Sequence, residues 1–157
     1  MASFDGNSNP NLSSLLELQQ HAGWTGQWAE IQEREMTVLD RRIAPEYASF
    51  YIAGSRKVEV PIGGEPRTVR ASRDCINMSC LNSQDGDTVV FLGWADDLGR
   101  LEKPIHDGVL NTNSGVVIVF DANMPEILSM AVPTPETRVR IWANRLLEPD
   151  RIQIGLG

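Results

Sequence analysis

Apolar and polar positions trade places regularly along the closing stretch of the chain, Gly108 to Gly157. Ser114-Gly115 opens onto the apolar run Val116-Val117-Ile118-Val119-Phe120, which Asp121-Ala122-Asn123 punctuates. A second run, Ile127 to Val132, is closed by Pro133-Thr134-Pro135. From Thr137 to Asn144, strict two-residue alternation sets Thr137, Val139, Ile141 and Ala143 on one side of a pleat. Arg138, Arg140 and Trp142 take the other. After Glu148-Pro149-Asp150 the chain continues as Arg151-Ile152-Gln153-Ile154-Gly155-Leu156. β-branched runs bounded by Gly, Pro, Asn and Asp are the signature of strands, and this stretch predicts four of them, antiparallel.

The earlier chain carries the same rhythm more weakly. Residues 1–11 read as a flexible lead, and residues 12–157 as a single β-rich domain. Ser14-Leu15-Leu16-Glu17 has the form of a capping box and Gly23 can end a helix, which predicts a short one within Leu12–Ala22. Trp24 and Trp28 follow in a loop and read as cover for the edge of a core. Glu30 to Asp40 is compatible with helix or strand; a strand over Glu33–Asp40 is favoured, stopped by Pro45. Tyr47–Ile52 is a clearer strand. Val58-Glu59-Val60, the turn Gly63-Gly64-Glu65-Pro66 and Thr68-Val69-Arg70-Ala71 together read as a hairpin. Asp74–Leu81 is mixed, Asp85-Gly86 is a tight-turn signal, and Thr88–Trp94 is a strand. Asp96 to Pro104 reads as a long charged loop. Turn signals recur about every ten residues, which predicts a mostly β, antiparallel β-sandwich or open barrel of roughly eight to ten strands with one or two short helices.

With 157 residues, 41% of them hydrophobic and 22% charged, the chain has the makings of a real core. The net charge of −7 and pI near 4.8 disfavour nucleic acid and anionic membrane as partners, since both require clustered Lys and Arg. A basic protein would instead be steered toward this surface. The start of the sequence has neither a positive n-region nor an apolar h-region, and nothing approaches the ~18 consecutive apolar residues of a membrane helix. A cytoplasmic location is therefore expected. Cys75 and Cys80 lie an odd number of positions apart, on opposite faces of a pleat, and are expected to stay reduced.

No motif names a reaction, and no enzyme activity is expected. His106-Asp107 has no nucleophile or third group beside it, so His106 reads as a loop histidine. Asn82 to Asp87 resembles the start of a calcium loop, but the twelfth position is Gly93 rather than an acid. Two histidines far apart and two badly spaced cysteines support no metal site, and Gly63-Gly64 is followed by no Gly-Lys-Ser; no metal or cofactor is expected. Two patches remain as candidate partner-binding surfaces. Trp94, Asp96, Asp97, Glu102 and Asp107 give an acidic, aromatic-edged stretch. Arg138, Arg140 and Trp142 share one side of a strand, where they either meet a partner or cap the core and pair with acids on a neighbouring strand.

The Ser-Gly-apolar strand ending in Asp (Ser114 to Asp121), the apolar strand after it, and the proline turn into an alternating strand (Val132 to Asn144) resemble small bacterial immunity proteins. Within these, the competence-associated nuclease inhibitors are the nearest. That resemblance implies an all-β protein that neutralises a cognate toxin, a nuclease among the candidates, and has no catalysis of its own. Two other readings stand beside it: a structural or assembly subunit that self-associates, as a homodimer for instance, through an exposed strand edge, and a small-molecule-binding or hydrolytic β-domain. A concave pocket with convergent polar groups would mark the last.

Overall fold

The computed structural model describes residues 37–157, so the expected lead, the Leu12–Ala22 helix, the Trp24 and Trp28 loop and the start of the Glu33–Asp40 strand lie outside the described residues. Residues 37–157 carry ten strands: β1 Val38–Ile43, β2 Ser49–Ala53, β3 Val69–Ala71, β4 Cys75–Ser79, β5 Thr88–Trp94, β6 His106–Asn111, β7 Val116–Phe120, β8 Leu128–Ala131, β9 Glu136–Ala143 and β10 Arg151–Leu156. A single short helix, α1 Ala95–Leu98, follows β5 among the described residues and ends on Gly99, whose left-handed φ of 64° lets its N–H reach back to the Ala95 carbonyl.

The strands form two sheets of five, ordered β1-β5-β10-β9-β6 and β3-β4-β2-β7-β8. Their inward faces share one core. Val90, Leu92, Ile141, Ile152 and Ile154 of the first sheet meet Phe50, Ile52, Ile76, Met78 and Val119 of the second, all nearly or fully excluded from water. The fold is therefore a sandwich, mostly β as the alternation predicts, and not a barrel.

The alternation identifies faces correctly but not partners. Within the closing stretch, β7 and β8 pair in the second sheet while β9 and β10 pair in the first. The chain crosses between the sheets at Val132–Pro135. There the buried Thr112 and Thr137 hydroxyls lie 2.8 Å apart, and Thr112 Oγ1 also bonds the Thr134 carbonyl. The expected antiparallel pairing holds for every described strand pair but one: β10 runs antiparallel to β9 but parallel to β5. Side-chain alternation has the same period in either pairing, so it could not reveal this.

The expected hairpin from Val58 to Ala71 is also corrected. β3 pairs instead with β4, through the turn Ser72-Arg73-Asp74. β3 is the end strand of its sheet, and Val58–Val60 do not join its other edge. These valines instead cover the outer face of the second sheet, against Ala53, Cys75, Phe120, Tyr51 and Ile118. The Gly63-Gly64 turn is real: both glycines have left-handed φ, and the Arg70 guanidinium donates to the Gly63 and Glu65 carbonyls.

Cys75 and Cys80 do face opposite ways, Cys75 into the outer cluster and Cys80 into the core between the sheets. Both are buried free thiols. Burial pushes each up to about 11, with Asp74 adding to the rise at Cys75. The Thr88 hydroxyl, buried without an oxygen or nitrogen partner, lies against the Cys80 sulfur and offsets part of its rise. Thiolate is the reactive form. The native protein should therefore resist a disulfide reagent near pH 8, and the same titration in denaturant should find both thiols; finding neither would show that they had oxidised.

Candidate functional site

Most of the residues singled out in the sequence lie on or beside the outer face of the first sheet. Strand pairing sets Asp107, Arg138, Arg140 and Trp142 on that face, with Asp107 opposite Arg140 and Val109 opposite Arg138. α1 packs onto it at Gly155, where an added Cβ would stand 2.9 Å from Trp142 Cζ3 and 3.1 Å from Ala95 Cα. The loop that follows carries Arg100, Leu101 and Glu102 and leads into β6.

The two tryptophans of the expected binding set lie on opposite faces of the first sheet. Trp142 is only 4% exposed, and its Nε1 donates 2.8 Å to the Glu102 carbonyl, so the indole caps a second layer of packing between β9 and the loop rather than facing a partner. Trp94 points to the inner side and packs against the main core, with its ring beside Gly157. The charges are largely paired with one another. Arg138 grips Asp107 in a two-pronged contact at 2.9 and 2.7 Å, holding that carboxyl below its usual range and raising the guanidinium. Arg100 bonds both Glu102 and Gln153, and lowers the Glu102 carboxyl in the same way. Asp97 accepts from the Thr37 N–H at 3.4 Å, and Arg140 donates to the Gly157 carbonyl at 2.6 Å while its Nε is buried without a partner. Leu101, 98% exposed at the loop tip, was missed in the sequence because a lone leucine among charges has no periodicity to mark it.

His106 opens strand β6 and is not in a loop. β6 begins with a bulge: the Ile105 N–H donates to the carbonyl of Ile141, the residue that His106 faces. Burial lowers the His106 pKa and Asp107 opposes that shift. A histidine held neutral makes the folded state bind fewer protons than the unfolded one. Its contribution is complete above the unfolded value near ~6.5 and is lost as pH falls. The urea midpoint should thus fall as pH drops below about 6.5, with His106→Gln flattening that part of the profile.

The sheet edges discourage self-pairing. β1 carries Asp40, Arg41 and Arg42, β6 has its bulge, and β3 and β8 are short. No three His, Cys, Asp or Glu side chains converge as metal ligands among the described residues.

A second feature lies at the sandwich end where β9 turns into β10. A concavity of about 600 Å³ is lined by Tyr47, Ala48, Pro66–Thr68, Ser79, Cys80, Asn82 and Leu146–Glu148. Three of its polar groups are engaged: Thr68 Oγ1 donates to the Leu146 carbonyl, Ser79 Oγ to that of Arg67, and Asn82 Oδ1 accepts from the Gln84 N–H. The exposed side chains of Arg67 and Glu148 also line it, beside exposed Tyr47, Leu146 and Leu147. Ala48 and Glu148, at φ 55° and 48°, are the described non-glycine residues in left-handed backbone, and both line it. Each such residue costs roughly 1–2 kcal/mol.

No family model matches the sequence, and no curated protein matches it. Among solved structures, the fold is similar to that of ComJ from Bacillus subtilis, an inhibitor of the DNA degrading activity of NucA, at a TM-score of 0.54 and 9% identity. The match covers 75% of this chain and 93% of that one. The likeness to competence-associated nuclease inhibitors, suggested by the strand pattern, is thus present in the fold.

Proposed function

We propose that this chain is an immunity protein, a cytoplasmic inhibitor that binds and neutralises a cognate basic toxin of the nuclease class. The fold shared with an inhibitor of a DNA-degrading enzyme is the observation that carries the reading. The net charge of −7 supports it, because proteins that cleave nucleic acid present basic surfaces to phosphate, and an acidic inhibitor is steered to the same surface. An inhibitor needs a rigid scaffold and an exposed contact surface, not a reactive group, and a ten-stranded sandwich with a shared core supplies the former.

The full chain, immobilised and exposed to an extract of its native host, should retain a basic protein that degrades DNA. Adding free chain to that purified protein should abolish degradation near a one-to-one ratio. Retention of a nuclease whose cleavage persists at saturating chain, or retention of no nuclease at all, defeats the reading.

A further inference from the structure

The hollow at the β9–β10 end measures about 600 Å³, within the roughly 300–1,000 Å³ of small-molecule sites. Its walls are tied together before anything enters. Thr68 Oγ1 donates to the Leu146 carbonyl, and the Leu81 N–H donates to that of Pro149. The Asn144 amide donates to Asp150 Oδ1, and the Arg145 Nε–H is shared between the Leu147 and Glu148 carbonyls. Ala48 and Glu148, both in left-handed backbone, lie on two different chain segments of the wall. Non-glycine residues held in such strain cluster at ligand clamps, and a hollow fixed in this way loses little entropy when it is filled.

The charges around this end nearly cancel. Arg41 and Arg56 reach the Ile127 and Pro125 carbonyls on either side of Glu126, and Arg42, Arg145 and Arg151 stand at the same end. Against these five cations are Glu46, Glu65, Asp85, Asp87, Glu126 and Asp150. The field here therefore selects neither a cationic nor an anionic macromolecule, and the charges of the lining itself decide what fits. They are one cation, Arg67, and one anion, Glu148. Both are exposed, and among the described residues neither the guanidinium nor the carboxylate has a hydrogen bond or an ion pair, not even with the other. With them on the hollow are the apolar surfaces of Tyr47, Leu146 and Leu147, at 65%, 64% and 81% exposure. Opposite charges left apart on one apolar hollow match a small molecule that carries both charges and an apolar body. A guanidinium takes a carboxylate through two parallel N–H bonds, and a carboxylate takes an ammonium.

We infer that this hollow binds a small apolar zwitterion, a free amino acid or a short peptide. Its carboxylate lies on Arg67, its ammonium on Glu148 and its apolar side chain against Leu146, Leu147 and Tyr47. Such a site does not depend on the nuclease partner proposed above.

The full chain titrated with L-leucine, L-phenylalanine and leucyl-leucine, followed by calorimetry and by the amide shifts of Thr68 and Leu147, should bind at least one of them saturably. Preference for the dipeptide or for the free amino acids tells which charge separation the hollow takes. Leucine amide, which lacks the carboxylate, and N-acetylleucine, which lacks the ammonium, should each bind about 5-fold or more weaker than leucine, the upper range for one solvent-exposed ion pair. Arg67→Gln should abolish only the preference for leucine over leucine amide, and Glu148→Gln only that over N-acetylleucine. Both variants should keep the thermal midpoint of the free chain, since neither side chain has a partner to lose. No saturable binding of any zwitterion at about 10 mM, blocked analogues that bind as tightly as leucine, or variants that keep both preferences would overturn the site. A chain that binds no zwitterion yet inhibits a nuclease one-to-one would sink the site and leave the inhibitor reading standing. A chain that binds zwitterions and retains no nuclease would do the reverse.

Discussion

Trp142→Ala should lower folding stability by about 3–5 kcal/mol, the range for truncating a buried tryptophan. The indole is 4% exposed between β9 and the loop after α1, with Gly155 against its ring. Its Nε1 also satisfies the Glu102 carbonyl at 2.8 Å, so removing it releases the loop from the sheet as well as opening a cavity. Trp142→Phe keeps most of the packing and loses the hydrogen bond, for which about 1 kcal/mol is expected. Urea unfolding of the two variants separates these terms, provided the slope with denaturant is unchanged. A midpoint that did not move in the alanine variant, together with weakened partner binding, would mean that the ring is a surface anchor.

The next largest effect should come from Gly155→Val. A branched side chain at that place on the first sheet's outer face must enter space held by Trp142 Cζ3, 2.9 Å from the Cβ site, and by the α1 backbone at Ala95 Cα, 3.1 Å away. The tryptophan ring is wedged and the helix backbone stands against the same space, so overpacking of about 1–3 kcal/mol is expected. α1 would be displaced first, since it is four residues long and docks by this contact. Exchange of the Gly99 amide, which the helix bonds to the Ala95 carbonyl, should then rise more than that of β9 or β10. Uniform protection across the helix and both strands would show that Gly155 is not where the helix is seated.

Much of the sandwich was legible from two-residue alternation. β5 and the closing strands lie where the pattern sets them, and Thr137, Val139 and Ile141 face the core with Arg138 turned away. β6 escaped notice because it contributes few side chains to the core: Leu110 is buried, while His106, Asp107, Gly108 and Val109 present no apolar stripe. β4 read as mixed because its alternation is short: Ile76 and Met78 face inward between Asn77 and Ser79, and Cys75 breaks the pattern by being buried on the outer face. The exposed leucines of the β9–β10 connection had no periodic signal at all. Leu146-Leu147 is two adjacent apolar residues beside Arg and Glu, and only the hydrogen bonds around them show that they are held outward.

By itself, then, the sequence determined the class of structure: β-branched runs broken by Gly, Pro, Asn and Asp fix where strands form and which face of each is buried, because these are local steric and solvation effects. Tertiary structure alone decided which strands pair and in which direction, so that β10 lies parallel to β5 and Val58–Val60 cover a sheet instead of joining one. It also decided that Trp142 is packing and that Leu146 and Leu147 are surface. Burial is a property of what comes to rest on a residue, and for these residues the neighbours arrive from strands and loops distant in the chain.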